Sequence, residues 1–352
     1  MTRDGVPVHF DVYGQGLTTV LLLPTWSIVD SRIWKAQVPF LARHYRVVTF
    51  DGRGNGQSGR PGGAHAFTDR EFTADALAVL DATATDRAVL VGYSCGAAWA
   101  VHVAAAYPQR VQGVFAIAPV CGLPAARLER ELRWLELTER PLGWRKYSRH
   151  HWLHGGLDDF REFFFAEMFT EPHSTKQIED MLLWSADVDA QTLVDSTTAR
   201  LTLDRSLTDI APSLQCPVHV VHGTADHIRH HAVGAQLADL TGGSLTLIEG
   251  AGHGPMTRDP VRLNMMIREF IDSVAAAPSG RTRWTRALRR RRRVLYLSSP
   301  IGLGHARRDM AITTELRLAR TDLDVYWLAQ SPVTRMLEAA EHDLHAFQAI
   351  RR

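Results

Sequence analysis

Between residues 8 and 274, short apolar runs alternate with stretches of helical spacing. The runs VHFDVY (8–13), TTVLLL (18–23), YRVVTF (45–50), AVLV (88–91), VQGVFAI (111–117), PVHVV (217–221) and SLTLI (244–248) read as strands. Helical spacing over 31–43, 72–83, 97–107, 231–240 and 261–274 predicts the helices between them. Near-continuous apolar strands interleaved with helices predict an α/β fold, a mostly parallel sheet with helices on both faces. The rhythm breaks over 122–200, which has no convincing buried strand but carries Trp134, Trp144, Trp152, Phe163, Phe164, Phe165 and Trp184. That stretch reads as a helical insert. After it, the strand–helix pattern resumes.

A second, shorter pattern follows Pro278-Ser279-Gly280. Residues 294–298 read as a strand, a glycine-containing SPIGLGHARR segment leads into a helix through Ala319, 324–328 as a strand, and a helix starts at Val333. This is a βαβα opening of a nucleotide-binding-type domain, with too few strands for a complete doubly wound sheet. The expected organisation is therefore one domain over 1–278, an arginine-rich linker over 279–293, and an incomplete Rossmann-like fragment over 294–352.

Charge adds one refinement. The formal net charge is +2, but RTRWTRALRRRRR (281–293) holds eight arginines and no acid. Without that tract 32 basic residues face 38 acidic ones, so the rest of the chain is mildly acidic and no nucleic-acid-binding domain is expected. The N-terminus lacks a signal-peptide core, and no apolar run is long enough to span a bilayer. Cys95, Cys121 and Cys216 form no Cys-x-x-Cys pair, which points to a reducing cytoplasm and away from zinc or a disulfide framework.

The candidate chemistry starts at GYSCG (92–96), where a buried strand meets a run of small residues. A Gly-x-Ser-x-Gly pentad between strand and helix is the context of a nucleophile elbow. The helix start would offer the Cys95 N–H to an oxyanion beside Ser94. A serine hydroxyl needs a base. GAGHG places His253 after the 244–248 strand, and HGTAD places Asp226 after the 217–221 strand. The chain order Ser94, Asp226, His253 separates this set from the other serine-triad folds.

With the loop DGRGNGQSG (51–59), these segments resemble the α/β-hydrolase family over about residues 5–275. The resemblance implies Ser94 as nucleophile, His253 as general base and then acid, Asp226 as its orienting acid, and a helical cap at 122–200 over the cleft. It also implies a second oxyanion N–H after the first long strand. There the family's His-Gly is replaced by Pro24-Thr25, which puts Trp26 at the donor position. The expected activity is cleavage of an ester, lactone or related acyl bond of an apolar or aromatic small molecule, with no metal and no organic cofactor. C–C bond hydrolysis or perhydrolysis on the same triad stays open, as does a non-catalytic binding module. His222, Asp226, His227 and His230 also cluster, but no carboxylate-rich metal pattern accompanies them. Asp51 and Arg53 read as braces of the glycine-rich loop. The tail resembles the N-terminal start of a GT-B glycosyltransferase through Gly302, Gly304 and His305, and is expected to be a remnant without transferase activity.

Overall fold

The apolar runs become seven strands of one sheet: β1 (Phe10–Tyr13), β2 (Thr19–Leu22), β3 (Arg46–Phe50), β4 (Ala88–Tyr93), β5 (Val111–Ile117), β6 (Val218–Gly223) and β7 (Ser244–Ile248). Their spatial order is β1-β3-β2-β4-β5-β6-β7. Only β1 runs antiparallel to its neighbour. The computed structural model describes residues 1–123, 129–137, 139–202, 207–275, 292–298, 303–329 and 331–339.

Because strand side chains alternate, each central strand feeds two apolar layers. Leu21, Leu90, Val114 and Val220 join α1 (Asp69–Ala82), α2 (Cys95–Ala106) and α6 (Ala232–Thr241) on one face. Val20, Leu22, Val89, Val91, Phe115 and Val221 join α7 (Pro260–Val274) on the other. Burying each such aliphatic side chain contributes roughly 1.5–3 kcal/mol. The helix expected over 31–43 is instead a 3-10 turn at Ser31–Trp34 and one short helix at Val38–Leu41. Pro39 explains the break: its ring nitrogen has no N–H to continue a helix from upstream.

Between β5 and β6 the described residues form helices and no strand. The long ones are α3 (Leu157–Met168), α4 (Thr175–Ser185) and α5 (Ala190–Thr202). Trp134, Trp152, Phe160, Phe165 and Trp184 are buried and join the apolar layer that α7 covers. The aromatics of the insert thus serve mainly as its own core.

The chain divides into two units, Met1–Pro278 and Ser279–Arg352. In the second, β8 (Arg292–Ser298) pairs in parallel with β9 (Leu323–Ala329), with α8 (Leu303–Ala319) between them and α9 (Val333–Ala339) after them. Ala306, Val325, Trp327, Val333 and Leu337 make its small core. Gly304 and His305, expected in a loop, sit exposed in the first turn of α8. A glycine is tolerated there because first-turn N–H groups have no intrahelical partner in any case. Gly302 and most of the arginine tract lie outside the described residues; Arg292 and Arg293 belong to β8, two positions earlier than the expected strand start.

Candidate active site

Parallel strands β4, β6 and β7 end at the same edge of the sheet. The loops that follow them bring Ser94, Asp226 and His253 together.

Ser94 occupies the turn between β4 and α2 with φ 56° and ψ −120°, a conformation that side chains other than glycine rarely adopt. Such strain is worth roughly 1–3 kcal/mol and persists only where the surroundings enforce it. Two glycines do so. A Cβ on Gly92 would lie 2.3 Å from the Gly96 carbonyl oxygen, and one on Gly96 would lie 2.1 Å from the Pro24 carbonyl oxygen. The Ser94 N–H donates to the Ile117 carbonyl at 2.9 Å, and its carbonyl accepts from Val120 at 3.1 Å. The elbow is thereby tied to β5 and wedged against the Pro24–Trp26 loop.

His253 stands 3.1 Å from Ser94 Oγ through Nε2 and 2.7 Å from Asp226 Oδ2 through Nδ1. The carboxylate can only accept, so the Nδ1 proton faces Asp226 and Nε2 presents its lone pair to the hydroxyl. Asp226 Oδ1 accepts the backbone N–H groups of Ile228 (2.7 Å) and Arg229 (2.9 Å). Burial alone would raise this carboxyl's pKa. The positive charge available on His253 and the hydrogen bonds from His222 and His253 outweigh it, and hold the group well below the usual carboxylate range.

His222 was not singled out in this role by the sequence. It is fully buried, and its Nε2 lies 2.9 Å from both Asp226 Oδ2 and the Arg229 carbonyl. Facing two acceptors, Nε2 carries the proton and donates. Its other edge packs on α6, where a Cβ on Gly234 would come within 2.6 Å of Nδ1. No periodicity reveals this, because a histidine in a buried strand reads as one more interrupted apolar position. The other histidines of the cluster go elsewhere: His227 pairs with Glu167 at 3.0 Å, and the His230 ring packs at a tilt against His231.

A second unforeseen feature is the corner after α3. The Met168 carbonyl accepts the His253 N–H (2.9 Å), Glu171 Oε1 accepts the Gly252 N–H (2.9 Å), and Thr170 Oγ1 donates to the Ala225 carbonyl (3.1 Å). Arg258 donates to the Pro172 carbonyl at 2.8 Å. Residues 168–172 of the insert therefore hold both the acid loop and the histidine loop.

Trp26, the expected oxyanion donor, is half-buried. Its indole N–H donates to Ser196 Oγ on α5 at 3.1 Å. Its ring packs on Phe164, Trp152, Phe160 and Tyr147 of the insert at centroid distances of 5.5–6.3 Å. Cys95 is buried as the first residue of α2, where backbone N–H groups point out of the helix end. Asp51 accepts the N–H groups of Ser31 (3.1 Å) and Gln57 (2.9 Å), and Arg53 forks onto Asp75 at 2.6 and 2.9 Å. Both brace the glycine-rich loop, as their positions suggested.

Residues 18–259 match the family model of the alpha/beta hydrolase fold, and the chain belongs to that enzyme family. The chain is 28% identical over 269 residues (74% of this chain, 95% of the relative) to a pimeloyl-[acyl-carrier protein] methyl ester esterase of Edwardsiella ictaluri. It is 30% identical over 107 residues to a putative carbamate hydrolase RutD of Azorhizobium caulinodans, of which it spans only 39%, and 33% identical over 118 residues to an epoxide hydrolase of Caballeronia sordidicola, of which it spans 35%. Among solved structures, a thermophilic esterase of Thermogutta terrifontis superposes with a TM-score of 0.66 at 23% identity, over 78% of this chain and 97% of the other, a likeness of fold. Among the described residues no helix is long and apolar enough to cross a membrane.

Proposed function

We propose that this chain hydrolyses an ester, lactone or related acyl bond through an acyl-enzyme on Ser94. The observation that carries the reading is the relay Ser94 Oγ–His253 Nε2–Asp226 (3.1 and 2.7 Å), set on a serine held at positive φ. His253 Nε2 takes the hydroxyl proton as Oγ bonds to the acyl carbon. The carbonyl oxygen becomes an oxyanion, received by the backbone N–H groups of Cys95 and Trp26. Collapse breaks the bond to the leaving oxygen, which takes the proton from His253. Water, deprotonated by the same nitrogen, then attacks the acyl-enzyme, and Ser94 is regenerated. Asp226 keeps Nδ1 protonated and stabilises the imidazolium formed in each half-reaction.

In this reading the 122–200 insert is the cap, and its aromatic wall beside Trp26 receives an apolar acyl group. The second unit, whose sequence resembles the start of a GT-B N-terminal domain, is proposed to have no transferase activity of its own; turnover of a sugar nucleotide by this chain would overturn that part.

The main reading is tested by a fluorophosphonate probe and short p-nitrophenyl esters. Ser94 should be labelled stoichiometrically, and Ser94→Ala should lower kcat by roughly four orders of magnitude or more. Absence of labelling together with no ester turnover by the native chain would leave the fold as a binding module, and turnover unchanged in Ser94→Ala would remove Ser94 as the nucleophile.

A further inference from the structure

The hydrogen bonds of the loop that carries His253 divide into two sets. Up to Ala251 they go to the sheet and the acid loop. The Ala251 N–H donates to the Ile248 carbonyl (3.2 Å), the Ala251 carbonyl accepts the Ala225 N–H (3.0 Å), and the Gly250 N–H donates to Thr224 Oγ1 (2.9 Å). The next two amides go to the insert: Gly252 donates to Glu171 Oε1 and His253 to the Met168 carbonyl, both at 2.9 Å. The backbone of the histidine is therefore placed by residues 168–171, which lie outside the sheet.

The approach is close. A Cβ on Gly252 would lie 2.8 Å from the Met168 carbonyl oxygen, 3.0 Å from Thr170 Oγ1 and 3.1 Å from Glu171 Oε2, so a glycine is what lets the corner reach the loop. Thr170 Oγ1 also donates to the Ala225 carbonyl at 3.1 Å, next to Asp226. Ser94, by contrast, is fixed by the elbow and by its bonds to the Ile117 carbonyl and the Val120 N–H. The partners of the 3.1 Å contact between Ser94 Oγ and His253 Nε2 are thus held by different parts of the chain. Glu171 makes its bond to the histidine loop through a side chain, so it can be altered without touching the backbone.

Reacting groups displaced by about 1 Å lose about a hundred-fold in rate. We propose that Glu171 is a positioning residue for His253: its Oε1 fixes the Gly252 amide and so holds the imidazole at the distance from Ser94 that proton transfer needs. This rests on the acyl-hydrolase reading above. It gives the insert a task apart from substrate recognition, that of keeping one member of the relay in place.

Two substitutions of similar size separate the acceptor oxygen from the bulk of the side chain. Glu171→Gln keeps an oxygen for the Gly252 N–H, and Glu171→Met does not. Glu171→Met should lower kcat on p-nitrophenyl esters roughly ten- to hundred-fold with KM within about two-fold of native, and Glu171→Gln should recover most of the loss. Hydrogen–deuterium exchange over residues 249–254, followed by mass spectrometry on the full chain, reads the anchoring without turnover. Exchange should be faster in Glu171→Met than in the native chain, and close to native in Glu171→Gln. If Glu171→Met does not fold, Glu171→Asp, whose carboxylate is one methylene shorter, takes its place with the same expectations. Unchanged exchange in Glu171→Met, equal losses of kcat in the Met and Gln variants, or a rise in KM at constant kcat overturns the assignment. Exchange that responds as expected in a chain whose native form cleaves no ester sinks the hydrolase reading and keeps Glu171 as the anchor of the loop.

Discussion

At the scale of single residues, Asp226 is divided between two histidines. Its Oδ2 receives His253 at 2.7 Å and His222 at 2.9 Å, while Oδ1 takes two backbone N–H groups. An amide in its place presents a donor as well as an acceptor and lets His253 adopt the wrong tautomer. Asp226→Asn should therefore lower kcat by about 10⁴-fold, read on any p-nitrophenyl ester that the native chain cleaves. In the proposed mechanism His222 acts at one remove, through Asp226. His222→Phe removes one hydrogen bond to a charged acceptor and should lower kcat about ten- to hundred-fold with KM little changed. A fall in KM binding alone, at constant kcat, would count against this role. Ser94, Asp226 and His253 were legible because each follows its own strand in a distinctive glycine-bearing segment. His222 was not, because its partner is brought to it by the chain's reversal at Thr224–Asp226 and leaves no periodic trace.

At the scale of elements, the contact between the start of α2 and the Pro24–Trp26 loop fixes the elbow. Gly96→Ala would place a Cβ 2.1 Å from the Pro24 carbonyl oxygen and should destabilise the chain by about 1–3 kcal/mol, measured by urea unfolding. The other side of that loop is held by α5. Ser196 donates to the Leu193 carbonyl (3.2 Å) and accepts the Trp26 indole (3.1 Å), so its hydroxyl is oriented at both ends. Ser196→Ala should lower kcat several-fold while leaving unfolding almost unaffected, and Ser196→Thr should restore it; equal losses in the two variants would show that the hydroxyl is not what matters. Strand positions were read well from apolar runs, since a buried parallel strand is the same pattern wherever it sits. The helical insert was legible only as a breach in that pattern. Its three long helices bury one face against aromatics from several segments, and which segments meet is decided by folding in three dimensions.

At the scale of the whole molecule, the insert is tied to the sheet by charge as well as by aromatic packing. Glu131 carries a lowered pKa because Arg200 and Arg229 favour its ionised form against the penalty of burial. The sign follows directly: a depressed folded-state pKa adds stability above the unfolded value, about 4.3, and that stability is lost as the pH falls through the folded value. The melting temperature should drop progressively below about pH 5, and Glu131→Gln should flatten that acid limb, as followed by circular dichroism. The corner at Met168–Pro172 has a practical consequence for remodelling. It contacts the loops of Asp226 and His253 through two backbone carbonyls and two side chains. Anyone who grafts the insert of a relative onto this sheet should place the downstream seam beyond Pro172 only if the donor brings an equivalent corner. A seam before Met168 keeps the native one, so the helices upstream are the portion that can be exchanged as a cassette.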